Sequence, residues 1–278
     1  MSTAGLLHPG EMGAAIGAEI RRNGHDVVWC TAGRSAESRQ RAHDADLRAV
    51  DDLGAMLDEC DVVLSICPPA AAEDVAREVA EAGYRGIFVD ANAICPETVL
   101  RVAEIVAVAG GSVVDAAIIG PPPQPRRTQA RLHMSGAPAH LDVVSELVAG
   151  TAVQPVRHGE QLGGASALKM AFASFQKTSR VLAAVAHALA AEHDVADALL
   201  AEAELMSSRI LAERDFAASV AARAWRWGPE MLEIADTLRA AGLPPELAEG
   251  AASVLSRWER DRGTTGLSTE DALAHLRS

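Results

Sequence analysis

Ala4-Gly-Leu-Leu7-His8-Pro9-Gly10-Glu11-Met12-Gly13-Ala-Ala-Ile16-Gly17 is the stretch on which the fold turns. Ala4–Leu7 is an apolar run of strand length. It enters a turn with two glycines, and a helical pattern then continues through Ile20. A strand–turn–helix of this kind resembles the G-x-G-x-x-G fingerprint. Its glycines serve the tight turn, backbone approach to a pyrophosphate, and close helix–strand packing. Gly10 and Gly13 fill the second and third places, and His8 stands in the first. The turn opens a helix whose N-terminal N–H groups attract an anion, so His8, Pro9, Gly10, Glu11, Met12 and Gly13 are the candidate nucleotide contacts. A plain strand–turn–helix junction is the competing explanation of the same residues.

The pattern around this stretch extends the argument. Asp26–Cys30, Asp61–Cys67, Gly86–Asp90 and Gly111–Asp115 are further short apolar runs. Helix-prone segments at 35–43, 71–81 and 97–108 separate them. Such alternation predicts βαβ units on a parallel sheet with right-handed crossovers. Two more strands are expected at 131–135 and 152–156, flanking a helix near 141–147. After about Gly159 the rhythm changes to alanine, leucine and glutamate. Leu168, Phe175, Leu182 and Leu189 recur every seventh residue, with Phe172 and Val185 alongside. Further helices are expected at 195–214, 229–241 and 245–259, with turns at Gly228-Pro229 and Gly242-Leu-Pro-Pro245. The expected architecture is α/β: a Rossmann doubly wound sheet in residues 1–159, then an all-α domain in 160–278.

The second strand's end selects the nucleotide. An acid there would bond the ribose 2′-hydroxyl of NAD. The chain offers Thr31, Arg34 and Ser35, with no acid before Glu37. A guanidinium fork and a hydroxyl suit a 2′-phosphate, which favours NADP over NAD; the alternative for Arg34 is a solvated arginine. Cys67 and Pro68, closing the strand that begins at Asp61, are placed with the cofactor group.

Composition bounds the rest. The 278 residues fit two domains, and 49% hydrophobic with 23% charged residues excludes wholesale disorder. A formal charge of −13 repels nucleic acid and anionic membranes. The first residues show no secretory pattern, and the longest apolar run is too short to span a bilayer. Four cysteines without a C-x-x-C pair are expected as free thiols, and a cytoplasmic location follows. Nine histidines lack ligand spacing, so no metal is expected. His133 and His158 are expected as hydrogen-bonded structural residues. Only two lysines occur, Lys169 and Lys177; the other 23 basic residues are arginine.

Four motifs in order resemble the β-hydroxyacid dehydrogenase superfamily, which includes 6-phosphogluconate and 3-hydroxyisobutyrate dehydrogenases. The first turn resembles its G-x-G-x-M-G. Val89-Asp90-Ala-Asn92-Ala-Ile-Cys-Pro96 resembles the D-x-S-T-x-x-P beside the nicotinamide. Asp115-Ala-Ala-Ile-Ile119-Gly120-Pro121 occupies the place of the substrate loop D-A-P-V-S-G-G. Gly163-Gly164-Ala-Ser-Ala-Leu-Lys169 resembles the approach to the family's catalytic lysine. The resemblance covers about residues 5–180. The tail, with Ala224-Trp-Arg-Trp227 and Glu230-Met231, resembles a branch whose C-terminal domain has no known function. Imine reductases share the architecture.

The resemblance implies hydride transfer between NADP(H) and a small carbonyl or hydroxy compound, with Lys169 as general acid/base and Asn92 orienting the substrate oxygen. Reduction needs a proton at the heteroatom and oxidation removes one; an amine in a partly desolvated site can do both. The alternative for Lys169 is a surface helix lysine. Ile119, Gly120, Pro121, Lys169 and Phe172 are the implied substrate contacts. Ile119 replaces a serine, Pro121 replaces a glycine and has no N–H to give, and Phe172 with Ala173 replaces asparagines. A larger or less polar substrate, including an imine, is therefore the first alternative, and a non-catalytic nucleotide-binding protein the second. Lys177, about 12 Å further along the helix and rotated about 80°, is expected outside the site. The apolar stripe is expected in the core, and the long helix is also expected to pair subunits into a homodimer.

Overall fold

A computed structural model describes residues 2–127, 129–210 and 213–277. The chain divides into two compact units, Met1–Lys169 and Met170–Ser278.

The first unit contains β1 (Thr3–Leu6), α1 (Glu11–Arg22), β2 (Asp26–Cys30), α2 (Ala36–Asp44), β3 (Arg48–Val50), α3 (Leu53–Asp58), β4 (Val62–Ser65) and α4 (Ala72–Glu81). It continues with β5 (Ile87–Asp90), α5 (Pro96–Val108), β6 (Ser112–Ile119), β7 (Ala130–Ser135), α6 (Pro138–Leu147) and β8 (Val153–Arg157). The strands form one sheet in the order β3-β2-β1-β4-β5-β6-β7-β8. Six are mutually parallel, as alternation with helices requires. β7 departs from the parallel expectation: it is antiparallel to β6. Among the described residues of the link from β6 to β7 there is no helix, and a parallel return needs a crossover.

Alternation of side chains builds a core on each face. Ala4, Leu6, Val27, Trp29, Val62 and Leu64 point to one side and pack with Ile16 and Ile20 of α1 and Leu141 and Leu147 of α6. Val28, Val63 and Phe88 point to the other and meet Met56 of α3, Val75 and Val79 of α4, and Val99 and Val102 of α5. β3 and α3 have no counterpart among the sequence expectations. They are short, and β3 lies at the sheet edge with little buried surface.

Helix α7 (Gly164–Glu192) begins in the first unit and enters the second, which adds α8 (Ala196–Leu205), α9 (Phe216–Ala240), α10 (Glu246–Ser256) and α11 (Thr269–Ala274). Among described residues no helix is long and apolar enough to cross a membrane. α9 runs unbroken through Gly228-Pro229, where the sequence predicts a turn. A proline inside a helix costs about 3 kcal/mol. Burial of Ala224, Trp227, Met231, Ile234 and Ala235 along the same helix offsets that cost. α8 stops at Leu205, well short of the expected 214.

The apolar stripe of α7 also departs from expectation. Phe175, Leu182 and Leu189 are 70%, 59% and 62% exposed, so in this chain the stripe is surface. The buried face is the neighbouring one, through Met170, Ala173, Lys177, Val181, Ala184 and His187. Lys177 lies on that face, ion-paired with Glu230 beside the Trp227 ring, its ammonium 5.6 Å from the ring centre. The second lysine is thus committed inside the helical unit.

Candidate functional site

In a doubly wound sheet, ligands bind beyond the C-terminal strand ends where the strand order reverses. Here that point lies between β1 and β4. The Leu7 N–H bonds Leu64 O at 3.1 Å, which keeps the two chains together past the strand end. The turn that follows is tight: Gly10 N–H donates to His8 O at 2.9 Å. A Cβ on Gly13 would stand 2.3 Å from that same oxygen, so glycine is obligatory there. At Gly10 a Cβ would meet nothing within 4 Å. Gly10 is also the N-cap of α1 and has no side-chain cap. An uncapped helix N-terminus therefore faces open space.

A histidine and an arginine stand at this turn. The His8 ring is part-buried; burial, and secondarily the Arg34 charge, lowers its pKa to about 4. His8 Nδ1 and Arg34 Nε are both buried without a hydrogen-bond partner among described residues. Thr31 is held by its N–H to Val50 O at 2.9 Å, and Gly33 turns the chain with φ of 69°. Ser35 spends its hydroxyl oxygen capping α2, accepting from Ser38 N at 3.2 Å. Arg39 donates to Thr31 O at 2.8 Å, and Arg41 donates to Pro9 O at 3.1 Å. Sequence reasoning passed over both arginines. The signal was their place in the first turns of the helix after β2, which point at the same strand end.

At the ends of β4 and β5 sits Asn92, 3% exposed. Its Oδ1 accepts from Cys67 N at 2.6 Å, and its Nδ2 donates to Ser65 Oγ and Asp90 Oδ2, each at 3.1 Å. The whole amide is engaged in tying the two loops together. Burial pushes the Cys67 thiol up to about 11, and Pro68 beside it is exposed. Asp90 is wholly buried; burial raises its carboxyl to about 7, the Asn92 hydrogen bonds oppose this, and Asp115 adds to it. Asp90 and Asp115 are register partners on β5 and β6.

Asp115 is also wholly buried. Its Oδ2 accepts from Ser135 Oγ (2.9 Å), Gly163 N (2.9 Å), Ala165 N (3.0 Å) and Ser166 N (3.2 Å), and its Oδ1 accepts from Ser166 Oγ (2.7 Å). These bonds tie the start of α7 to the sheet, and the compact unit accordingly extends to Lys169, ten residues past the sequence-placed boundary. Lys169 Nζ donates to Ile118 O at 2.8 Å. Ile119 is buried, while Gly120 and Pro121 are exposed. Gly120 has φ of 131°, and a Cβ there would approach Gln129 O at 2.8 Å, so it too must be glycine. His133 Nδ1 and His158 Nε2 are 2.7 Å apart, and the His133 pKa is lowered by burial and then by His158, Arg131 and Lys169.

The first unit thus gathers His8–Gly13, Thr31, Arg34, Ser35, Cys67, Pro68, Asn92, Ile119–Pro121 and Lys169 at or beyond the C-terminal ends of β1, β2, β4, β5 and β6. Phe172 falls in the second unit and is 42% exposed. Among described residues no group of three His, Cys, Asp or Glu is placed to hold a metal.

Residues 3–159 match the family described as the NAD binding domain of 6-phosphogluconate dehydrogenase, and residues 190–258 match a domain of unknown function, DUF1932. An uncharacterized 28.5 kDa protein of Methanothermus fervidus is 26% identical over 176 residues, 63% of this chain and 65% of that protein. The match thus spans just under two thirds of that relative. Among solved structures, the conserved protein MTH1747, of unknown function and described as similar to 3-hydroxyacid dehydrogenases, is 26% identical with a TM-score of 0.66, over 95% of this chain and 100% of its own. A Mycobacterium tuberculosis 3-hydroxyisobutyrate dehydrogenase with L-serine has a TM-score of 0.76 at 17% identity over 100% of both chains. A Streptomyces aurantiacus imine reductase has 0.60 at 19% identity over 99% of each. The last two likenesses concern the fold.

The raised Asp90 carboxyl gives a testable linkage. The group is neutral in the fold at pH values where the unfolded chain ionises it. Its stabilisation is therefore complete below the ordinary pKa of 3.8 and is lost as pH rises through about 7. Thermal unfolding from pH 4 to pH 8 should show this loss, up to roughly 4 kcal/mol. In Asp90→Asn the same scan should be flatter; an unchanged slope would place the proton elsewhere.

Proposed function

The chain belongs to the family of the NAD binding domain of 6-phosphogluconate dehydrogenase, and from that premise we propose that it transfers a hydride between NADP(H) and a small carbonyl or hydroxy compound, with Lys169 as general acid/base. The observation that carries this reading is the Lys169 ammonium, held 2.8 Å from Ile118 O where β6 delivers the segment Ile119–Pro121. The dinucleotide fits the residues present. Gly10 leaves space beside an uncapped helix, Gly13 admits no side chain, and His8 and Arg34 each carry a buried polar atom without a partner among the described residues. When bound, the nicotinamide supplies or accepts the hydride.

The chain's own residues do the rest. Lys169 gives a proton to the substrate oxygen during reduction and takes it back during oxidation. Asn92 acts by fixing the Cys67 loop against β5, since its amide is engaged there. Arg34, with Arg39, Arg41 and the N-terminus of α2, forms the positive end of the site. That charge favours the 2′-phosphate of NADP over the free hydroxyl of NAD.

A second reading is reduction of an imine, the same lysine protonating nitrogen. It is favoured by Ile119, which is apolar, and by Pro121, which has no N–H to offer a carboxylate. In this proposal two chains pair through α7, where Phe175, Leu182 and Leu189 leave a large apolar stripe on the surface. A cytoplasmic setting accords with four free cysteines.

Three measurements test this reading. Arg34→Ala should weaken NADPH binding about 10- to 100-fold in calorimetry, as loss of a charge-assisted pair predicts, and leave NADH nearly unchanged; equal losses would remove the 2′-phosphate assignment. On panels of ketones, hydroxyacids and cyclic imines with NADPH, Lys169→Ala should lower turnover at least 100-fold at unchanged NADPH affinity. NADPH binding with no lysine effect on any property would restore the non-catalytic alternative. Leu182→Asp with Leu189→Asp should sediment as a monomer where the parent sediments as a dimer, and a monomeric parent would end the pairing proposal.

A further inference from the structure

We propose that Asp115 is the positioning residue that sets the Lys169 ammonium in the site, a role that rests on Lys169 being the acid/base group. The two residues are corners of a closed frame. Asp115 and Ile118 are three residues apart on β6; Ser166 and Lys169 are three residues apart on α7. One crosspiece is Ser166, through its N–H and hydroxyl, on the Asp115 carboxylate. The other is Lys169 Nζ on Ile118 O at 2.8 Å.

Geometry explains why each corner has its chemistry. Three residues of strand span about 10 Å, whereas three residues of helix rise about 4.5 Å. The difference in length, about 5 Å, is one that a lysine side chain can span and an alanine or serine cannot. At the other end, the first N–H groups of a helix lack internal partners and favour a negative charge. Asp115 Oδ2 satisfies Gly163 N, Ala165 N and Ser166 N together. Three N–H groups and the Ser135 hydroxyl converge on that one oxygen.

The neighbouring strands add one lesser anchor: Ser135 of β7, which donates to Asp115, also accepts from Ala165 N at 3.2 Å. Asp90 is Asp115's register partner, but its contacts run to Asn92. Asp115 of β6, the strand that delivers the segment Ile119–Pro121, holds the first turn of α7, the helix that delivers the amine. A displacement of about 1 Å at a reacting group can cost on the order of 100-fold in rate. The frame fixes that separation from both sides.

The chain's two lysines make the test direct. Protein labelled with ¹⁵N and ¹³C in lysine gives two side-chain ammonium signals, assigned with Lys177→Arg. In Asp115→Asn the Lys169 signal should shift and its ammonium protons should exchange with water at least tenfold faster, while Lys177, paired with Glu230 in the other unit, stays in place. Ser166→Ala removes only the Oδ1 bond and should move the Lys169 signal in the same direction by less. With a substrate from the panels, Asp115→Asn should lower kcat about 10- to 100-fold while the Kd for NADPH stays within twofold.

A folded Asp115→Asn protein with an unmoved Lys169 signal overturns the proposal. If that variant does not fold, Ser166→Ala decides alone, and an unmoved signal there overturns it equally. The acid/base reading fails separately: Lys169→Ala with full turnover ends it, while the response of the Lys169 signal to position 115 would still show the anchor.

Discussion

A single buried carboxylate holds the candidate chemistry in place. Asp115 lies in the sheet with no exposure, where an unpartnered charge would be costly. It is matched there by two serine hydroxyls and three N–H groups from the approach to α7 and its first turn. The exchange works in both directions. The helix start would otherwise bury unpaired donors, and the carboxylate would otherwise lack partners. Because both needs are met at one point, the strand that leads into Gly120-Pro121 and the helix that carries Lys169 have a fixed relation within the first unit.

The nucleotide end follows a different logic, that of vacated side chains. Gly13 is forced by the His8 carbonyl and Gly10 leaves room beside the helix terminus. His8 replaces the first glycine of the fingerprint without disturbing either requirement, since its carbonyl, not its ring, shapes the turn. Its ring adds a bulky neutral group beside Arg34 where the pattern has nothing. The site thus combines the backbone turn of the fingerprint with side chains that depart from its pattern.

Much of this was legible beforehand because period and punctuation are local. The alternation of short apolar runs with helices gave the doubly wound sheet, and the ordered motifs gave the family that residues 3–159 match, together with a C-terminal domain of unknown function. What failed depended on partners far along the chain. The stripe at Phe175, Leu182 and Leu189 has a helical period, but period does not say which of two adjacent faces is buried; Met170, Ala173 and Val181 are. Pro229 has the form of a helix breaker, yet α9 continues because burial on both sides of it outweighs one lost hydrogen bond. Arg39 and Arg41 were invisible among 23 arginines until α2 brought them to Thr31 and Pro9.

The two lysines show the division most clearly. The sequence by itself determined that both are rare and that Lys169 follows Gly163-Gly164 at the spacing of the family motif it resembles, because spacing along one chain is a local property. It also held Lys177 apart, because eight residues of helix carry a side chain away and around. Only the tertiary structure decided what each one touches. Lys177 meets Glu230, and Lys169 meets a carbonyl on a strand that ended fifty residues earlier. Those pairings depend on which faces pack together, and burial is a sum over the whole domain that no single stretch of sequence contains.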